Sequence, residues 1–287
     1  MSDTIRFTLD GQPASAAPGM TIWEVANGQG LVIPHLCHKP APGYRPDGNC
    51  RACMVEIEGE RTLAASCIRE PQEGMVVTTN SQRASSAQKM VVEMLLADQP
   101  AREEARDKSS HLWDMADLHA VQDSRLPALE PERVPLLDDS HLAMRVNLDA
   151  CIQCGLCVRA CREVQVNDVI GMAGRGHDSY PTFDFADPMG ESTCVACGEC
   201  VQACPTGALM PKTQVGSQVV DKKVDSVCPF CGVGCLLTYN VKDNRIVSVE
   251  GRDGPANHNR LCVKGRFGFD YIHHEHRLTK PLIRRDD

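Results

Sequence analysis

Sixteen cysteines in a chain of 287 residues are the feature that most restricts how this protein can fold. They occur in short groups with regular spacings, separated by long stretches without cysteine. The first ten residues lack a basic region followed by an apolar one, so we expect no secretory leader and predict a cytoplasmic protein. Cytoplasmic thiols are kept reduced, so cysteines in this number indicate metal binding rather than disulfides.

The strongest group is one motif that occurs twice between residues 146 and 213. Its eight members, in the spacing C-x2-C-x2-C-x3-C, are Cys151, Cys154, Cys157, Cys161, Cys194, Cys197, Cys200 and Cys204. Pro205 follows the second run, whereas Arg162 replaces that proline in the first, a minor departure. The double run resembles that of two-cluster bacterial ferredoxins.

In such ferredoxins three thiolates of a run hold one [4Fe-4S] cluster and the fourth crosses to the other cluster. The resemblance therefore assigns one cluster to Cys151, Cys154, Cys157 and Cys204. It assigns the other to Cys194, Cys197, Cys200 and Cys161. Zinc is the alternative, but tetrahedral zinc uses paired C-x2-C hooks and would leave thiolates over.

A further group lies near the start of the chain and consists of Cys37, Cys50, Cys53 and Cys67. Alternating apolar residues at 5–9 and 54–57 predict strands around it, and Gly43 and Gly48 suit a loop that turns N–H groups towards cluster sulfurs. The group resembles the [2Fe-2S] domain of respiratory NADH dehydrogenases, NAD-reducing hydrogenases and NAD-dependent formate dehydrogenases. That resemblance implies a β-grasp, ferredoxin-like fold for residues 1–81; four purely structural cysteines are the alternative.

Residues 82–145 contain no cysteine. Apolar residues at helical spacing predict a helix from Gln82 to Ala97. The stretch 100–141 is charged and contains four prolines, so we expect an irregular connector that runs over a surface.

Proteins with this [2Fe-2S] domain usually bind another [4Fe-4S] cluster in the following region, through one histidine and three cysteines. Here no cysteine lies between Cys67 and Cys151. That cluster is therefore predicted to be absent, and His111 and His119 are predicted to be ordinary surface or packing residues.

The last group consists of Cys228, Cys231, Cys235 and Cys262, and a hairpin is predicted between its third and fourth members, at 236–241 and 245–250. The group resembles the N-terminal [4Fe-4S] domain of molybdopterin oxidoreductases, in particular formate dehydrogenases. The resemblance implies a small β-rich domain over 221–287 and places Lys264 between this cluster and a pterin; a solvated lysine is the alternative. The histidines of 273–276 are expected to form a polar turn rather than a metal site.

Taken together, the modules predict a multidomain α+β chain that resembles the N-terminal part of alpha subunits of NAD-dependent formate dehydrogenases. The sixteen cysteines are then all ligands of one [2Fe-2S] and three [4Fe-4S] clusters, and none is left for an active-site metal. The resemblance implies an electron relay without a substrate site of its own. Its expected partners are a catalytic polypeptide with a molybdenum or tungsten bis-pterin cofactor and a diaphorase with FMN and an NAD site.

Other functions are considered on the same residues. A subunit of an NADH dehydrogenase or an NAD-reducing hydrogenase is the main alternative, and a zinc-binding scaffold is the second. The net charge of −8 and the lack of a long Lys/Arg run argue against a nucleic-acid partner. No apolar stretch reaches the ~20 residues that a bilayer requires, so no membrane span is expected. Whether the chain is a fragment or a naturally split subunit stays open.

Overall fold

The structure, a computed structural model, describes residues 4–128, 136–216 and 220–285. The part of the predicted connector at 129–135 and the chain end at 286–287 lie outside these ranges. By its internal contacts the chain divides into two units. The larger unit takes in the chain up to residue 194 together with residues 199–218, and the smaller takes in 195–198 and the residues from 219 onwards.

The first part of the larger unit is a five-stranded sheet. Its strands are β1 (Ile5–Leu9), β2 (Gln12–Ala16), β3 (Met54–Ile57), β4 (Ala64–Ala65) and β5 (Val76–Thr78), in the order β2-β1-β5-β3-β4. Strand β1 pairs antiparallel with β2 and parallel with β5. Phe7 and Leu9 are buried on β1, and Val55 and Ile57 on β3, so the alternation in the sequence predicted both strands correctly.

Helix α1 (Ile22–Gly28) packs its apolar face on this sheet. It begins in a capping box, in which Thr21 accepts from the backbone N–H of Glu24 and the Glu24 carboxylate accepts from that of Thr21. The indole of Trp23 donates to the carbonyl of Ile33 at 3.1 Å. This bond anchors the chain where it leaves the helix and enters the loop that carries the first cysteines.

Two helices follow the sheet, α2 (Gln82–Leu96) and α3 (His111–Leu118). The first was predicted, whereas the second lies inside the stretch expected to be an irregular connector. Leu112 and Trp113 of α3 are buried against Val92 of α2, in a core that also contains Ala52 from the cysteine loop. The connector is therefore partly a packed helix, because apolar residues of the cysteine loop and α2 cover its apolar face.

The ferredoxin-type part of the larger unit consists of short elements around the cysteine runs. Its strands are β6 (Leu137–Asp138), β7 (Met144–Asn147), β8 (Ile170–Ala173), β9 (Tyr180–Phe183) and β10 (Leu209–Pro211), paired as β10-β7-β6 and β8-β9. Its helices are α4 (Leu156–Arg159) and α5 (Glu199–Ala203). A single π-helical turn, Ala160–Val164, continues α4.

The smaller unit has a three-stranded antiparallel sheet of β11 (Lys222–Val227), β12 (Leu236–Lys242) and β13 (Arg245–Gly251), followed by α6 (Val263–Phe267). The predicted hairpin is confirmed, and its turn residues Asp243 and Asn244 both have positive φ. Its core consists of Leu237, Val249, Leu261 and Phe269. So small a core supplies little apolar burial.

A membrane-spanning helix must be long and continuously apolar. None of the helices in the described parts of the chain meets both conditions.

Candidate iron-sulfur centres

All sixteen cysteines lie in the described ranges, and none of them forms a disulfide. Two of them, Cys231 and Cys262, are exposed. Five are buried: Cys37, Cys53, Cys67, Cys161 and Cys200. Grouped free thiols that are partly shielded from water are the donor set that iron-sulfur clusters require.

The four thiols of the predicted [2Fe-2S] site come together beside strands β3 and β4. The backbone N–H of Cys37 donates to Sγ of Cys50 at 3.4 Å, and the N–H of Cys50 donates to Sγ of Cys37 at 3.5 Å. The Ser66 hydroxyl donates to the carbonyl of Cys53 at 2.8 Å and fixes the neighbouring backbone. Amide donors aimed at sulfur stabilise the added charge of a reduced cluster, so this backbone suits a [2Fe-2S] group.

These four thiols also change one another's acidity. Hydrogen bonds from the thiols of Cys50 and Cys67 lower the pKa of Cys37 to about 2. A hydrogen bond from Cys67 lowers the pKa of Cys53 to about 7. The pKa values of Cys50 and Cys67 are raised, chiefly because each donates to Cys37. These hydrogen bonds connect the four side chains with one another, as the ligands of one cluster would be.

Gly48, two residues before Cys50, lies where the backbone conformation and the packing leave little room for a side chain. Its φ is +66°, and a Cβ there would lie 2.6 Å from Cδ1 of Ile68. Gly59 has a similar φ of +82°, but a Cβ there would meet nothing within 4 Å, so this residue separates backbone strain from overlap.

We expect Gly59→Ala to lower the free energy of unfolding by about 1 kcal/mol, since an L-residue there pays only for the left-handed backbone. Gly48→Ala is expected to cost about 1 kcal/mol more, because Ile68 must also move. Thermal unfolding of both variants measures this difference. Equal losses would mean that Ile68 yields freely and that the loop next to Cys50 tolerates a Cβ.

Four predicted ligands line one cavity in the ferredoxin-type part, namely Cys151, Cys154, Cys157 and Cys204. The cavity has a volume of about 20 Å³, and most of its other lining is apolar. Burial raises the pKa of Cys154, and Cys204 is the next largest cause; burial also raises the pKa of Cys157. Thiols in such a wall ionise readily only beside a cationic metal, so the donor set and the cavity fit a [4Fe-4S] cluster.

The loops of the two ferredoxin-type runs share one backbone conformation. Gln153 and Ala196, each two residues after the first cysteine of its run, have φ values of 56° and 55°. Gly155 and Gly198, two residues further on, have φ values of 71° and 69°. In the first run the N–H of Gln153 donates to Sγ of Cys151 at 3.4 Å. The repeat seen in the sequence is therefore also a repeat in backbone geometry, of the kind that turns N–H groups towards an anionic group.

The second predicted [4Fe-4S] set is divided between the two units. Cys161, Cys194 and Cys200 belong to the larger unit and Cys197 to the smaller. Cys161 lies on the π-helical turn, and its Sγ accepts the N–H of Val169 at 3.3 Å. A π-helical turn at this point is notable because such turns are frequent at functional sites.

The third predicted [4Fe-4S] site lies in the smaller unit, between the sheet and α6. The N–H of Cys228 donates to the carbonyl of Cys235 at 2.8 Å, which closes the loop between them. Cys262 is the residue that precedes α6. Burial raises the pKa of Cys235, and the thiols of Cys228, Cys231 and Cys262 raise it further. The four thiols therefore interact electrostatically, as the ligands of one cluster would.

Lys264 is exposed on α6, and its predicted role beside a pterin stays a prediction. The histidines of the C-terminal turn contact the protein's own groups. His273 accepts the backbone N–H of Ile246 at 3.2 Å, and the rings of His274 and His276 lie 5.0 Å apart.

The two histidines of the predicted connector region lie at the two ends of α3, since His111 begins the helix and His119 follows its last residue. The ring of His111 lies 4.9 Å from that of His35, whose pKa is lowered to about 4 chiefly by burial. Burial also lowers the pKa of His119. Over the ranges that the structure describes, no three His, Cys, Asp or Glu side chains are arranged to hold a single metal ion.

We call residues 38–49, which lie between the first two cysteines, the [2Fe-2S] loop. Sequence reasoning missed two buried polar contacts, one made by this loop and one made next to it. Tyr44 donates to the carboxylate of Glu199 at 2.8 Å. Arg159 is 3% exposed and donates to the carbonyl of Cys37 at 2.7 Å. The sequence signal for the second contact was the position of Arg159 inside a cysteine run, where a solvated arginine is not expected.

Three families match successive parts of this chain. Residues 2–82 match the 2Fe-2S iron-sulfur cluster binding domain, residues 150–208 the 4Fe-4S dicluster domain, and residues 221–274 the molybdopterin oxidoreductase Fe4S4 domain. The fold class predicted from the sequence is thereby confirmed: the chain has domains of the kinds that bind [2Fe-2S] and [4Fe-4S] clusters.

Several relatives align with nearly the whole chain. An NADH-quinone oxidoreductase subunit of Rhizobium meliloti is 35% identical over 290 residues, covering 98% of this chain and 33% of the relative. "Putative formate dehydrogenase YrhE" of Bacillus subtilis is 30% identical over 329 residues, covering 99% and 33%. A chain of an NAD+-reducing [NiFe]-hydrogenase crystal structure superposes with a TM-score of 0.68 at 30% identity, covering 76% of this chain and 92% of that one. The chain thus spans about a third of the length of the first two relatives.

Proposed function

The chain belongs to the family of electron-transfer iron-sulfur subunits of oxidoreductase complexes related to NADH dehydrogenase, formate dehydrogenase and NAD-reducing hydrogenase, and on that premise we propose that it serves an NAD-dependent formate dehydrogenase. The observation that carries this proposal is the C-terminal domain. A molybdopterin-oxidoreductase-type [4Fe-4S] domain at 221–274 follows the [2Fe-2S] and dicluster domains. A domain of this type at that end suits a chain that relays electrons to or from a metal-pterin site.

In this proposal the protein's own residues hold and tune four clusters. When bound, each cluster supplies a site that takes up and gives back one electron. The backbone N–H donors to Cys37, Cys50, Cys151 and Cys161 would favour the reduced states. The proposed ligands of the [2Fe-2S] cluster are Cys37, Cys50, Cys53 and Cys67. Those of the three [4Fe-4S] clusters are the sets of Cys151, Cys154, Cys157 and Cys204; of Cys161, Cys194, Cys197 and Cys200; and of Cys228, Cys231, Cys235 and Cys262.

The contacts of the [2Fe-2S] loop support a position for that cluster within the relay. The Asn49 side chain donates to the carbonyl of Cys154 at 3.3 Å, so the loop touches the first ferredoxin-type run directly. Lys39 donates to the carbonyl of Gln202 at 2.7 Å, and Gln202 lies within the second run, between Cys200 and Cys204. We propose that electrons pass between the [2Fe-2S] site and the site of Cys151 without an intervening histidine-ligated cluster.

The proposed partners follow from the two ends of the relay. A polypeptide with a molybdenum or tungsten bis-pterin cofactor would meet the site of Cys228, where Lys264 is exposed. A flavin- and NAD-binding diaphorase would exchange electrons at the other end. The overall reaction would be formate + NAD = CO2 + NADH. Sixteen cysteines without a disulfide suit the cytoplasm, where thiols stay reduced.

The second candidate function is an iron-sulfur subunit of an NADH dehydrogenase or NAD-reducing hydrogenase. One observation favours it. The alignment with the NADH-quinone oxidoreductase relative runs over 290 residues, close to the 287 of this chain, whereas that with the formate dehydrogenase relative needs 329. The formate dehydrogenase relative therefore contains insertions that this chain and the first relative lack.

Anaerobic purification of the chain with its native partners distinguishes these functions. We expect about fourteen irons and an equal number of labile sulfides per chain, from one [2Fe-2S] and three [4Fe-4S] clusters. We further expect molybdenum or tungsten in the co-purified complex, and bleaching of the clusters by formate as well as by NADH. Bleaching by NADH without molybdenum, tungsten or a response to formate would favour the second candidate. A colourless protein with zinc in place of iron would contradict both.

A further inference from the structure

Arg159 is a buried cation that is neither a proposed cluster ligand nor part of a proposed partner contact. It is the last residue of α4, between Cys157 and Cys161 of the first run, and its side chain is only 3% exposed. Burying a guanidinium is costly unless charges and acceptors surround it. What surrounds Arg159 therefore indicates why the cation is there.

The partners of Arg159 come from two different cysteine loops. Nη2 donates to the carbonyl of Cys37 at 2.7 Å and to that of Cys154 at 3.3 Å. Nη1 donates to the carbonyl of Arg45 at 3.0 Å and pairs with the carboxylate of Asp47 at 2.7 Å. One planar guanidinium thus joins a ligand residue of the [2Fe-2S] site, a ligand residue of the first [4Fe-4S] site and the loop between Cys37 and Cys50.

The charges around Arg159 form a short chain of ion pairs. Asp47 also pairs with the guanidinium of Arg45, and Arg45 pairs with Glu163 at 2.8 Å. Arg45 is mostly exposed, whereas Arg159 is not. Of the two arginines in this series of ion pairs, Arg159 therefore has the charge that is less screened by solvent, and it is the one that contacts both ligand residues.

We propose that Arg159 is a positioning residue that holds the [2Fe-2S] loop against the first ferredoxin-type run and raises the reduction potentials of both sites. The inference rests on the proposed function, since it presumes clusters at these ligands. A fixed cation near both sites stabilises an added electron at either one, and Asp47 acts in the opposite direction. Because the fork geometry of arginine makes the bridge, lysine can replace its charge but not all its hydrogen bonds.

The test uses three variants and one control in the complete, cluster-loaded chain. Arg159→Gln removes the cation, Arg159→Lys keeps the charge, and Asp47→Asn removes the opposing anion at constant size. Arg102→Gln is the matched control, because Arg102 makes a two-pronged pair with Asp117, with Nη1 to Oδ1 at 2.6 Å and Nη2 to Oδ2 at 3.0 Å. Dithionite titrations followed by electron paramagnetic resonance give the potentials, and amide hydrogen exchange over residues 38–49 reports the position of the loop.

We expect Arg159→Gln to lower the equilibrium constant for one-electron reduction of the [2Fe-2S] site and of the Cys151 site by tenfold or more. This corresponds to a fall of about 59 mV in each reduction potential. Asp47→Asn is expected to shift both potentials upwards. Arg159→Lys should keep the potentials closer to those of the unchanged protein while exchange of residues 38–49 still rises, because the bridge is incomplete. Arg102→Gln should alter neither measurement.

Two results would overturn the inference: potentials in Arg159→Gln that match those of the Arg102→Gln control, or an Asp47→Asn variant without an upward shift. If Arg159→Gln loses iron, the sign of the effect is read from Asp47→Asn and Arg159→Lys, which preserve size or charge. An unchanged protein that holds no iron-sulfur cluster would instead contradict the proposed function.

Discussion

Replacing Cys204 by alanine is expected to empty the cluster site of Cys151, Cys154 and Cys157 rather than that of its own run. The physical reason is the cavity in the ferredoxin-type part, which Cys204 lines together with those three thiols. Loss of one thiolate ligand leaves an incomplete donor set for a [4Fe-4S] cluster. Iron should fall by about four of about fourteen atoms per chain.

Differential alkylation identifies the site that is lost. In Cys204→Ala, iodoacetamide should label Cys151, Cys154 and Cys157, whereas Cys194 and Cys200 should stay protected. Cys161→Ala is the reciprocal variant and should expose the second set while the first stays protected. Labelling of Cys194 and Cys200 in the Cys204 variant would mean that each run holds its own cluster and that the crosswise assignment is wrong.

Removal of the clusters by a chelator and an oxidant is expected to unfold the smaller unit well before the first sheet. The described core of the smaller unit contains four buried residues, whereas that of the first sheet and α1 contains fifteen. Cluster binding contributes directly to folding free energy where a core is small. Loss of protection in β12 and β13 should be on the order of a hundredfold, about 2.8 kcal/mol at 1.4 kcal/mol per tenfold.

Amide hydrogen exchange on the cluster-free protein measures this difference, with strands β1 and β5 as the internal control. Their amides should keep most of their protection, because Phe7, Leu9 and Val77 remain buried without metal. Equal protection of both sheets after metal removal would mean that Leu237 and its neighbours suffice to fold the smaller unit. Equal loss would mean that the [2Fe-2S] site also supports the first sheet.

The regular elements could be predicted where local pattern and burial agree. Strand β1 has the bounds expected from alternation, and α2 ends one residue before the expected Ala97. Helix α3 was missed because its eight residues lie among prolines and charges, although Leu112, Trp113, Met115 and Ala116 follow a helical pattern. Such a short helix has little stability by itself, and packing against α2 and the cysteine loop decides it.

The connector also contributes a contact that no local pattern signals. The N–H of Leu112, at the start of α3, donates to the carbonyl of Pro205 at 3.0 Å, directly beside Cys204. Helix α3 thus supports the turn that carries one ligand of the cavity. This support depends on a hydrogen bond between residues that are far apart in the sequence.

The spacing of the cysteines, which the sequence by itself determined, was enough to indicate the cluster types and the backbone of each ligand loop. The reason is that spacing and glycine conformations are local properties. The left-handed residues at matching places of the two runs are of this kind. Only the tertiary structure decided that Arg159 binds the carbonyls of both Cys37 and Cys154, and that the N–H of Leu112 meets the carbonyl of Pro205. These contacts arise from the packing of whole elements and from the need to pair a buried charge, and neither is encoded in any short stretch of residues.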